Sequence, residues 1–101
     1  MKERMSLSAE ILSLNKLWEQ MSKATIAENV EKYLYAKFPE CKTSYNSKME
    51  KLQEISGSQK NTVYAWVNRS RKNVKVPFLK LCKIADALDV DIQDMLRENN
   101  M

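Results

Sequence analysis

The chain has 101 residues, 44% of them hydrophobic and 30% charged, with one Gly, two Pro, no His and a formal net charge of +4. That composition belongs to a folded chain and not a disordered one, and so little Gly and Pro excludes an all-β architecture, which needs many turns. The lack of His excludes His-based metal sites and His general bases. No apolar run approaches the ~18 residues of a membrane span, and the first ten residues lack the apolar core of a secretory signal.

Residues 6–22 predict an amphipathic helix. Leu7, Ile11, Leu14, Trp18 and Met21 recur in steps of four and three, which puts them on one stripe. Leu12 and Leu17 widen the stripe, and Ser6 or Ser8 is suited to cap its start. An exposed stripe holding a Trp is costly for a monomer. Homodimerisation through Leu7, Ile11, Leu14, Trp18 and Met21 is therefore expected, with folding back onto the rest of the chain as the alternative.

A second helix is expected over about 24–38, carrying Ile26, Ala27, Val30, Tyr33, Leu34 and Phe38. Thr25-x-x-Glu28 reads as a capping box, unless the two stretches run on as one long helix. Pro39 ends the second stretch, and residues 39–47, PECKTSYNS, read as a polar loop.

Residues 48–69, KMEKLQEISGSQKNTVYAWVNR, read as two short helices joined by a tight turn. Met49, Leu52 and Ile55 recur at helical spacing, Ser56-Gly57-Ser58 breaks the pattern, and Thr62-Val63 with Trp66-Val67 restarts it. Gly57 can take the left-handed conformation of a sharp helix exit at no steric cost. Ser47-x-x-Glu50 matches a capping box for the first helix. The second helix turns Val63 and Trp66 inward. Its other face carries Gln59, Lys60, Asn61, Tyr64, Ala65 and Asn68, with hydrogen-bonding groups and no acid.

Residues 70–76 are basic and aperiodic and read as a loop. Pro77 suits the first position of the next helix, whose buried face is Phe78, Leu81, Cys82, Ile84, Ala85 and Leu88. Asp91 caps a last short helix, with Asp94 in its first turn and Met95-Leu96 buried. Cys41 and Cys82 lie in no metal-like spacing and read as free thiols of a cytoplasmic protein.

The net charge hides a gradient. Residues 1–47 hold seven Lys and Arg against six acids, residues 48–83 hold nine against Glu50 and Glu54, and residues 84–101 hold Arg97 against five acids. The basic block coincides with the helix pair and the segment after it, which favours a polyanionic partner over a merely solvated face. No glycine-rich phosphate loop exists, since Gly57 is the only Gly, and the pairs Asp86/Asp89 and Asp91/Asp94 fall where capping or solvation explains them. No enzyme, cofactor or small-molecule ligand is expected.

The pattern of Leu52, Gly57, Thr62-Val63 and Trp66, followed by Phe78-Leu79-x-Leu81-x-x-Ile84-Ala85-x-Ala87-Leu88-x-Val90 and Met95-Leu96, resembles the lambda-repressor-like (Xre or Cro/repressor) helix-turn-helix family. The resemblance covers roughly residues 24–97. Departures are Gln53 where the family usually has Ala, Ser58 where it often has an apolar residue, and Arg69-Ser70 where a Gly commonly ends the recognition helix. The resemblance implies an all-α chain: a five-helix DNA-binding domain at 24–101, with residues 1–23 as an extra amino-terminal amphipathic helix.

It also implies a sequence-specific binder of double-stranded DNA, reading the major groove with the helix at about 59–69. Carried over by position, Gln59, Lys60, Asn61, Tyr64 and Ala65 face the bases. Lys60 would donate to guanine O6 and N7, Asn61 would pair with adenine, and Ala65 would touch a thymine methyl. Asn68, Arg69, Arg71, Lys72 and Lys75 would grip phosphates. Met49 stands where many relatives have a phosphate-binding Gln, so Ser47 or Lys48 would replace that contact. The commonest family role is a transcriptional repressor of a phage or mobile element. An accessory DNA-binding factor of plasmid conjugation, excision or replication, and an antitoxin-like interaction module, are the alternatives.

Overall fold

Helical periodicity is realised in most of the described chain. The computed structural model describes residues 2–68, 70–71 and 74–97, with side chains from residue 10 onward. These residues are all-helical: α1 (Lys2–Gln20), α2 (Lys23–Lys37), α3 (Glu40–Thr43), α4 (Tyr45–Ser56), α5 (Lys60–Val67), α6 (Phe78–Ala87) and α7 (Ile92–Met95).

The boundaries follow local chemistry, in places other than the expected ones. α1 begins at Lys2, so Ser6 and Ser8 lie inside it and not at its start. α1 and α2 are separate helices. Ser22 is the cap of α2, in extended conformation, and its hydroxyl accepts from the Thr25 N–H at 3.1 Å. The capping signal therefore sits three residues before the Thr25-x-x-Glu28 box. The expected loop at 39–47 instead contains α3, a single turn that follows Pro39 and buries Cys41. Ser44 caps α4 by accepting from the Ser47 N–H at 3.2 Å, so Ser47 lies in the first turn. Gly57 ends α4 with φ 68° and ψ 24°, its N–H donating to the Gln53 carbonyl at 2.9 Å. Pro77 is the cap of α6 and not its first residue, and the Asp91 carboxylate accepts from the Gln93 N–H at 3.0 Å to start α7.

One core joins all these elements. Ile26, Val30 and Leu34 of α2 meet Leu52 of α4, Val63 and Trp66 of α5, Leu81, Ile84 and Leu88 at α6, and Met95 and Leu96 at α7, all buried. Phe78, expected in the core, is only partly buried and packs against it. Buried polar groups are satisfied across elements. The Asn29 amide on α2 donates to the Met95 and Arg97 carbonyls, both at 2.7 Å, and so caps the end of α7. Lys48 of α4 pairs with Glu31 of α2, its ammonium 5.6 Å from the centre of the Tyr35 ring.

α1 is bound into this core. Leu14 and Met21 are buried, and Trp18 packs against the cluster while its indole N–H donates to the Val76 carbonyl at 2.7 Å. The stripe expected to form a seam between two copies is therefore largely consumed within the chain. Ile11 remains 53% exposed, beside Leu12 and Leu17, and the side chain of Leu7 lies outside the described residues. The principal extents are 45 × 30 × 25 Å.

Candidate nucleic-acid interface

The α4–α5 pair is held from behind and open in front. Leu52 fixes α4, and Val63 and Trp66 fix α5, all three buried. Between them the turn is tied by short-range bonds. The Ser56 hydroxyl donates to the Leu52 carbonyl and accepts from the Ser58 N–H at 3.3 Å. Gln59 then takes an extended conformation as the cap residue of α5, and its carbonyl accepts from the Val63 N–H at 3.0 Å.

That frame exposes Gln59, Lys60, Asn61, Thr62 and Tyr64. Lys60, Asn61 and Tyr64 fall at three- and four-residue spacing and share a face. Thr62, which sequence periodicity grouped with the inward Val63, is exposed as well. No acid lies between Gln59 and Asn68.

Several residues expected on this surface are elsewhere. Ala65 is buried at 6% exposure, because a helix fixed by Val63 and Trp66 turns it inward, so its methyl is not on the outer face. Lys48 is buried in its pair with Glu31 and is not presented to solvent. Burial alone would lower the pKa of its ammonium. Hydrogen bonding and charge from Glu31 and Tyr35 outweigh that and leave it above the ordinary lysine value. Lys75 turns back onto α1. Its ammonium donates to the Trp18 carbonyl at 2.6 Å and stands 4.1 Å from the centre of the Trp18 ring. Burial lowers its pKa, opposed by Glu19. Asn68 ends α5, and its side-chain oxygen accepts from the Ser70 N–H and hydroxyl. Ser47 is half-buried and Arg71 exposed, while Arg69 and Lys72 lie outside the described residues.

Three further lysines act on this pair of helices. Lys80 on α6 donates to the Ser56 carbonyl at 3.0 Å, and the Lys83 ammonium lies 2.8 Å from where a Cβ on Gly57 would be. The spacing Lys80-x-x-Lys83 on one helix face was the available signal. Both cations stand at the carboxyl end of α4, where its dipole favours positive charge. Lys23, 7% exposed, donates to the Ala65 carbonyl at 2.7 Å and also to the Asn68 and Arg71 carbonyls. It thereby neutralises the carboxyl end of α5, which has no basic residue in its own last turn.

The thiols are not activated as nucleophiles. Burial raises the pKa of Cys41, reinforced by Glu40, and burial likewise raises that of Cys82, so both stay protonated near neutrality. Among the described residues no group of His, Cys, Asp and Glu could hold a metal ion, and no helix is long and apolar enough to cross a membrane. Comparison with protein-family models, curated proteins and solved structures gives no match.

Proposed function

We propose that the chain is a sequence-specific double-stranded DNA-binding protein, a transcriptional repressor of a phage or mobile element, whose α4 and α5 form a helix-turn-helix of the lambda-repressor-like kind. The observation that carries this reading is the acid-free outer face of α5. Gln59, Lys60, Asn61, Thr62 and Tyr64 are exposed there, while Val63 and Trp66 lock the opposite face into the core. A helix about 10–12 Å across fits a major groove about 12 Å wide. In that groove the Lys60 ammonium would donate to guanine O6 and N7, and the Asn61 amide would pair with adenine N6 and N7. Arg71, exposed just beyond the helix, would bind phosphate.

A palindromic operator needs two copies one DNA turn apart. With Leu14 and Met21 buried, such pairing would rest on Ile11, Leu12 and Leu79, which remain exposed. Selection of bound duplexes from a random pool tests the proposal. Enrichment of one motif is expected. Binding without enrichment would leave only a non-specific DNA binder, and no binding at all would remove the reading.

A further inference from the structure

The segment after α5 is basic and aperiodic, and such a segment ordinarily has a large conformational entropy to lose on binding. Its described part is nevertheless tied at three backbone carbonyls. The Lys23 ammonium donates to those of Asn68 and Arg71, and the Trp18 indole N–H donates to that of Val76 at 2.7 Å. The Asn68 carbonyl also accepts from the Arg71 N–H at 3.1 Å, so the ammonium reinforces a turn already closed by the backbone. The Lys23 ammonium carries three N–H donors and donates also to the carbonyl of Ala65 in α5 itself. Lys75 closes the arrangement from the other side, donating to the carbonyls of Trp18 and Glu19 at 2.6 and 3.4 Å.

We infer that the corner between α1 and α2 is a clamp that presents Arg71 to DNA, with Lys23 as its positioning residue. This rests on the DNA-binding reading above. An apolar side chain in place of Lys23 would leave the carbonyls of Ala65, Asn68 and Arg71 without this donor. Nor could it draw them to one point. That convergence fixes the path of the chain out of α5 and hence where the exposed Arg71 guanidinium stands. Preorganisation of this kind raises affinity by removing the ordering cost at the moment of binding.

The test uses Lys23→Met and Trp18→Phe in the full chain. The second variant removes one N–H donor and keeps the aromatic body. Amide hydrogen exchange is followed at Ser70, Arg71 and residues 74–76, with α6 as internal reference. Lys23→Met is expected to speed exchange at Ser70 and Arg71 about tenfold or more, and Trp18→Phe to do so at 74–76, with the reference amides unchanged. Lys23→Met should also weaken binding to random duplex about tenfold and lower the salt slope by about one, as loss of one phosphate contact would. Unchanged exchange in both variants overturns the clamp, as does acceleration spread evenly over the chain, which would make these residues stability determinants only. Faster local exchange with unaltered DNA affinity and slope overturns the role of the clamp in binding. Wild-type protein that binds no duplex overturns the DNA-binding reading itself, a result separate from the exchange data.

Discussion

A lysine in the first turn of a helix stands at the wrong end of that helix's dipole. Lys23 opens α2 in this way and is explained by the carboxyl end of α5, to whose carbonyls it donates. The same logic accounts for Asn29, which faces the end of α7, and for Lys80 at the end of α4. Gly57 is the residue on which the turn depends. At φ 68° a Cβ is strained whatever the surrounding space, and the Lys83 ammonium that it would meet can swing aside. Gly57→Ala should therefore cost about 1–2 kcal/mol in denaturant unfolding, from the backbone alone; a neutral or stabilising result would mean that the turn is not left-handed. Lys48 makes a pH prediction. Its folded pKa is raised, so its pairing stabilises fully below the unfolded lysine value and is lost as pH rises through the folded one. The stability difference between wild type and Lys48→Met should shrink on going from neutral to strongly alkaline pH. A constant difference would show that the pair contributes packing and no charge.

At the scale of elements, apolar spacing located the helices well, because Val63, Trp66, Leu81, Ile84 and Leu88 all turn inward as their periods require. Caps were less legible. Ser22 and Thr25, or Ser44 and Ser47, are equally good oxygen acceptors three residues apart, and only tertiary packing chooses between them. α3 is too short to show a period and forms because Cys41 is drawn into the core. The stripe on α1 was visible, but its partner was not: spacing marks an apolar face without saying which surface covers it. On the outer face of α5, Ala65 was misplaced because a small residue carries no hydropathic signature strong enough to fix its side. Lys23 was missed because a carbonyl cluster built from residues 65, 68 and 71 exists only in three dimensions. The packing of α1 predicts its energetic role. Trp18→Ala should lower the unfolding free energy of the chain even at concentrations where it is monomeric, by about 3–5 kcal/mol if the indole contacts are lost outright and less in proportion to its partial exposure. Light-scattering mass together with denaturation would check this. Loss of self-association with unchanged monomer stability would restore the seam between copies.

At the scale of the whole molecule, charge is unevenly distributed along the sequence. The basic block of residues 48–83 holds the α4–α5 pair, whereas residues 84–101 are net acidic. In the DNA-binding proposal, the acid-free face of α5 and the exposed Arg71 are the groups that would meet the polyanion. The central claim is that α5 reads bases, and it is tested most directly by binding of Lys60→Ala and Asn61→Ala to the selected duplex and to its scrambled counterpart across a salt series. The account predicts a loss of about 1–3 kcal/mol on the selected duplex and much less on the scrambled one. Equal losses on both duplexes would mean that α5 does not read sequence, and would contradict it.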